Sequence, residues 1–231
     1  MSSQLKPIKA WGYGSRSANP VKLAMILNEL NLPFEAIHVP FADVKNPEYT
    51  VINPNGRLPA IQDPNTGITL WESGAIIEYL VDHYDKECRL SFPPGTPESY
   101  HAKQWLYFQT SGQGPYYGQL FWFKLFHSTQ VPSAIERYIK EVNRVTGVLE
   151  GHLSKEKKEH GDSIGFDGPW LVGNKISYAD ISFVSWQKGV EHLLDKDAFD
   201  MDKYPVVKEW LAKMTARPAI KTANKQSTSR A

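Results

Sequence analysis

The stretch Ser91 to Pro97, SFPPGTP, constrains this chain most, because its prolines and glycine stop regular structure and the hydrophobic period differs on its two sides. Upstream, short strand-like runs alternate with helical ones; downstream, every apolar run has helical spacing. The expectation is an α/β domain over residues 1–90, a linker over 91–97 and an all-helical domain over 98–231. A length of 231 residues permits one domain or two, so the division rests on this change of period. The last residues, Lys221 to Ala231, offer little to bury and read as a disordered tail.

Within the first part, Ile8 to Tyr13 begins as a strand and runs into the Gly- and Ser-rich turn Gly12 to Ser17. The run PVKLAMILNEL, Pro20 to Leu30, has a broad apolar face at helical spacing, with Asn19 and Pro20 fitting the N-cap and first helical positions. Phe34 to Val39 reads as a second strand, and strand-helix-strand order favours a parallel pair with a right-handed crossover. Asp43 to Glu48 suits a short helical or irregular connection. Arg57 to Asp63 and Ile68 to Trp71 read as strands around a turn at Pro64 to Gly67, followed by a helix from Ser73 to His83. Pro59, near the start of a strand, leaves one ladder position without a donor, which belongs at an edge or where a ligand supplies the partner.

In the second part, helices are expected over Glu98 to Gln109, Pro132 to Leu153, Ser177 to Gly189 and Val206 to Met214. The run KEKKEH, Lys155 to His160, has no apolar face and reads as a solvated helix end. Ser177 followed by Asp180 is a close relative of the capping box, with Ile176 and Ile181 as its staple, so Asp180 reads as structural.

Composition excludes several classes. With 41% hydrophobic and 22% charged residues the chain is an ordinary globular protein, and a net charge of +1 with interleaved signs offers no stripe for nucleic acid. The single cysteine, Cys88, can form neither an internal disulfide nor a thiolate metal site alone, which suits a reducing compartment. MSSQLKPIKAWGYG lacks the apolar core of a signal peptide, and no apolar run is long enough to span a bilayer. A cytoplasmic protein with neither a nucleic-acid nor a membrane partner, and without a metal, is the expectation.

The candidate chemistry lies at the strand ends. Glu72 and Ser73 open a helix, where Ser73 and the free first-turn amides can hold a carboxylate while Glu72 accepts bonds from an ammonium. That pair suits an α-amino acid head group, although the same two residues also make an ordinary helix start. Leu58, before Pro59, can offer its backbone N–H and C=O to an extended peptide. Together they suggest a small peptide ligand.

The runs NPNGRLPAI, Asn53 to Ile61, and WESGAIIEYL, Trp71 to Leu80, resemble the glutathione-binding core of the glutathione transferase family, whose first domain is thioredoxin-like. GNKISYADISF, Gly173 to Phe183, resembles the capping motif of the family's helical second domain. WLYFQTSGQGP, Trp105 to Pro115, with ERYIKEVNRVTGVLE, Glu136 to Glu150, resembles the fungal Ure2-like subgroup and the bacterial nu class. The resemblance runs from about Ile8 to Pro218. It implies glutathione as co-substrate, with Pro59 as the family's cis-proline and Leu58 bonding the cysteinyl part. Glu72 and Ser73 then hold the γ-glutamyl group, and Lys45 reaches the glycyl carboxylate, a task suited to a flexible ammonium. It also implies a homodimer, and a pocket for a small electrophile, peroxide or disulfide that draws Gln109, Gln113, Tyr116, Tyr117, Phe121 and Trp122 from the second domain. Those rings serve a core or a dimer contact equally well.

Classes within this family differ in what activates the thiol. No cysteine occupies Trp11 to Pro20, so the mixed-disulfide classes lack their nucleophile here. A thiol has a pKa near 8.5, and a helix N-terminus with one or two donors lowers it. Asn19 can donate from its amide and Ser17 or Ser15 from a hydroxyl, with Tyr13 as the competing phenol. The implied activity is conjugation of glutathione to small electrophiles, glutathione-dependent peroxide or disulfide reduction, or both. The competing account is a non-enzymatic regulatory or protein-interaction module that binds glutathione.

Overall fold

The computed structural model describes residues 5–14 and 17–228. These divide into two compact units, one formed by the chain up to Arg89 together with the residues from Ala216 onward, the other by Leu90–Thr215.

The first unit carries a four-stranded sheet in the order β2-β1-β3-β4, from β1 (Ile8–Trp11), β2 (Phe34–Ile37), β3 (Ala60–Asp63) and β4 (Ile68–Trp71). β1 and β2 are parallel, joined through α1 (Ala18–Glu29), while β3 is antiparallel to both β1 and β4. One side of the core gathers Ile8, Ala10, Leu23, Ile26, Leu27 and Ile61 with Ile76, Ile77 and Leu80 of α3 (Ser73–Tyr84). A smaller cluster of Val39, Val44, Tyr49 and Ala60 packs with Trp11, Ile52 and Leu58 around the single turn α2 (Pro47–Thr50). The hairpin between β3 and β4 is pinned by Asp63, whose Oδ1 accepts from the Asn65 amide at 2.8 Å and whose Oδ2 accepts from the Tyr79 hydroxyl at 2.6 Å and from Tyr84.

Several boundaries differ from the sequence expectation, among them the start of the first helix and the last helix. The first helix begins at Ala18, with extended Ser17 (φ −76°, ψ 138°) as its N-cap and the Val21 amide donating to the Ser17 carbonyl at 3.2 Å. Asn19 and Pro20 therefore lie inside the first turn, where a missing proline N–H still costs no helical bond. The second difference is the chain end. Residues 218–228 form a helix, α9 (Pro218–Thr228), and not a disordered tail. Ile220 and Ala223 are fully buried, and α9 packs along α1. Two apolar residues at helical spacing suffice because α1 has almost no outward face, being buried from Pro20 through Leu27.

The second unit is helical: α4 (Pro97–Phe108), α5 (Gly114–Phe121), α6 (Pro132–His160), α7 (Tyr178–Leu193) and α8 (Pro205–Ala216). A π-helical turn, Gln109–Gln113, joins α4 to α5, and a second such turn, Trp122–Phe126, follows α5. Asp180 is wholly buried and accepts from the Leu171 amide (2.8 Å), the Trp210 indole (2.9 Å), and the Ser177 amide (2.9 Å) and hydroxyl (2.8 Å). The capping box is present, and it does more than cap, since the same carboxylate joins α7 to α8 and to the segment before it. Burial outweighs these bonds and raises the Asp180 pKa.

Candidate functional site

The sheet register brings three turns to one end. Trp11, Ala60 and Trp71 are cross-strand partners, so Gly12, Pro59 and Glu72, each next to one of them, leave the sheet at the same place. The Leu58–Pro59 peptide is cis. Leu58 is half-buried, and neither its amide nor its carbonyl bonds a described residue. Glu72 stands at φ 68°, ψ 112°, a conformation uncommon outside glycine, and caps α3 so that its side chain faces out while Ser73 is buried at the helix start. Such an outlier belongs where a site over-determines the backbone.

The loop before Pro59 is held from within. The Arg57 carbonyl accepts from the Tyr49 hydroxyl at 2.7 Å and from Asn53 Nδ2 at 2.6 Å, and the Asn55 amide donates to Asn53 Oδ1 at 3.0 Å. Gly56 has φ +58°, and a Cβ there would lie 2.6 Å from the Val44 carbonyl, so glycine is required on both counts. Lys45, exposed, donates from Nζ to the Asn55 carbonyl at 2.7 Å, and Asn55 Nδ2 reaches Glu72 Oε1 at 3.4 Å. Lys45, Asn55 and Glu72 thus form one polar chain along the rim.

The start of α1 reaches the same place. A Cβ on Gly12 would lie 2.9 Å from Pro20 and 3.2 Å from the Leu58 Cβ, so the first turn of α1 and the Leu58 loop close on Gly12 from two sides. Ser17 and Asn19, both half-buried, belong to that turn and are engaged in interactions of their own. Ser15 lies outside the described residues.

Other candidates are placed elsewhere. The Tyr13 ring folds back onto Phe34, 5.1 Å between centroids, and Phe34 pairs with Ile8 at the far end of β1. Among the described residues its buried hydroxyl has no hydrogen-bond partner, and burial raises its pKa, the wrong direction for a phenol that must ionise. In the second unit, Gln109, Gln113 and Tyr117 are fully buried core residues and not pocket lining. Gln109 Nε2 donates to Gln113 Oε1 (3.1 Å), Gln113 Nε2 to Gln187 Oε1 (3.2 Å), and the Tyr117 hydroxyl to the same Gln187 oxygen (3.2 Å). Tyr116 and Phe121 remain partly exposed, and Trp122 is half exposed.

Models of the glutathione S-transferase N-terminal domain match residues 16–83, and those of its C-terminal domain match residues 122–226. The chain belongs to the glutathione S-transferase family. Among relatives of this family, it is 56% identical over 217 residues to the glutathione S-transferase-like protein tpcF of Aspergillus fumigatus, covering 94% of each chain. It is 54% identical over 220 residues to the glutathione S-transferase-like protein gedE of Aspergillus terreus, covering 95% of each. Among solved structures, the glutathione transferase URE2P8 from Phanerochaete chrysosporium with oxidized glutathione matches with a TM-score of 0.86 at 42% identity, over 98% of this chain and 97% of that one. The fold is that of a glutathione transferase, a thioredoxin-like domain followed by helices, and the likeness to Ure2-like members is borne out.

Nothing in the sequence reading marks Lys22. It lies in the apolar run of α1, and it is fully buried. Burial lowers its pKa to about 7, against the pull of the Glu72 carboxylate. The available signal is a lysine within a helix that is otherwise apolar almost all round. Among the described residues no cluster of three or more His, Cys, Asp or Glu could hold a metal, and no helix is long and apolar enough to cross a membrane.

Proposed function

We propose that this glutathione transferase-like protein binds glutathione along the rim from Lys45 to Ser73 and stabilises its thiolate at the start of α1. The carrying observation is the convergence of Gly12, the unpartnered Leu58 main chain, Glu72, Ser73 and the first turn of α1 at one sheet end. Leu58 supplies the sheet-like bonds to the cysteinyl residue. Glu72 accepts the γ-glutamyl ammonium, Ser73 and the first amides of α3 take its α-carboxylate, and Lys45 takes the glycyl carboxylate. The presence of oxidized glutathione in the Phanerochaete relative supports this ligand.

The sulfur then lies by the first turn of α1, where the helix N-terminus and donors from Asn19 and Ser17 favour thiolate over thiol. The thiol proton leaves to solvent. The thiolate attacks an electrophilic carbon and expels its leaving group. With a peroxide, two glutathione molecules give one disulfide, an alcohol and water. With a mixed disulfide, a glutathione thiolate displaces the other thiol. A cytoplasmic homodimer is the proposed working form.

The test is a glutathione titration followed by thiolate absorbance in wild type, Asn19→Ala and Ser17→Ala. The bound thiol pKa should rise in Asn19→Ala by about one unit or more; an unchanged value removes Asn19 from this role. Assays with an aryl halide, cumene hydroperoxide and a mixed disulfide accompany it, and no turnover above background in all three overturns the catalytic reading.

A further inference from the structure

We infer that Lys22 is a positioning residue of the γ-glutamyl subsite, a buried cation that balances Glu72 so that the site matches a zwitterionic α-amino acid head group. The inference deepens the glutathione reading and rests on it. Lys22 is fully buried, one helical turn after Asn19 on the same face of α1, and α1 packs directly against α3, which Glu72 caps.

The titratable and charged groups on the helices packed against α1 include Glu72, Glu78, Asp82, His83 and Asp85 on or beside α3, and Arg217, Lys221 and Lys225 on or beside α9, with Glu29 on α1 itself. The Glu72 carboxylate, at the start of α3, is a charge that acts on Lys22 and favours its protonated form. A carboxylate nearby offsets part of the cost of burying a charged lysine.

The γ-glutamyl head group presents an ammonium and a carboxylate side by side. Glu72 alone would offer the ammonium a partner and repel the carboxylate. With Lys22 charged as well, the subsite carries one charge of each sign. Burial places the Lys22 proton close to the neutral range, at about 7, so the balance is lost within an accessible pH span.

The experiment uses S-methylglutathione, which has no thiol to titrate, and measures its affinity calorimetrically from pH 6 to pH 8. Wild type should bind up to about tenfold more weakly at pH 8 than at pH 6, the limit for one coupled proton above its pKa. Lys22→Arg, charged throughout, should bind with little change across that range. Lys22→Met should bind weakly and without the pH dependence. A Lys22→Met variant that follows the wild-type curve overturns the inference. Should that variant fail to fold, an Arg variant that weakens with pH as wild type does overturns it equally. Absence of S-methylglutathione binding by wild type at every pH overturns the glutathione reading itself, a different and separable result.

Discussion

The Arg217 guanidinium holds the Glu29 carboxylate through two bonds, Nε to Oε1 at 2.6 Å and Nη2 to Oε2 at 2.8 Å, and so fastens the start of α9 to the end of α1. The Glu29 side chain is 7% exposed, so this pair is shielded on one side. Asn28 adds a second tie, donating to the Ala24 carbonyl at 2.8 Å and to Gln226 Oε1 at 3.0 Å. Arg217→Ala leaves a nearly buried carboxylate unpaired and should cost about 1–3 kcal/mol in denaturant unfolding. Hydrogen exchange should rise first in α9; unchanged exchange there would show that the pair does not anchor the helix.

Asp180 should be among the most sensitive positions in the second unit. Asp180→Ala strands the Leu171 amide, the Trp210 indole and the Ser177 amide inside the core. A loss of about 3–5 kcal/mol follows. The measurable signature is a lower urea midpoint, with specific activity of the folded fraction retained. Loss of activity in fully folded protein would contradict a structural role.

Tyr13→Phe separates the competing thiol activators. The buried Tyr13 hydroxyl has no hydrogen-bond partner among the described residues, so its removal should leave stability unchanged or raise it by about 1 kcal/mol. The bound glutathione thiol should titrate as in wild type. A rise in that pKa comparable to that of Asn19→Ala would restore Tyr13 to the site.

Lys22 also makes stability depend on pH in a definite direction. Its folded pKa is lowered to about 7 from 10.5, so between these values the unfolded chain binds one more proton than the folded one. Stability therefore rises with pH across that window, and below about pH 7 the full cost of the buried charge is present. Urea midpoints of wild type should increase from pH 7 toward pH 9 relative to Lys22→Met. Parallel curves for the two proteins would show that Lys22 does not titrate there.

Glu72→Gln and Ser73→Ala address the clamp. Each should weaken glutathione binding by about 1–3 kcal/mol, the value of a hydrogen bond to a charged group. Calorimetric titration with wild-type affinity in both variants would exclude the γ-glutamyl assignment.

The sequence by itself determined the strand and helix order of the first unit, because period-two and helical runs there are separated by strong turn residues. The motifs around Leu58, Glu72 and Asp180 were legible for a related reason: much of what defines them lies within a few positions or in the local backbone. Ser177 and Asp180, for instance, meet within one turn of α7. Tertiary structure decided the rest. Whether Lys22 faces water, whether the Tyr13 ring turns toward the start of α1 or onto Phe34, and whether residues 218–228 hang free depend on what packs from distant parts of the chain. The same holds for Gln113 and Tyr117, whose polar groups look like pocket lining until Gln187, far along the chain, satisfies them inside the core. Local propensity fixes which element forms, and long-range burial fixes which of its faces meets solvent.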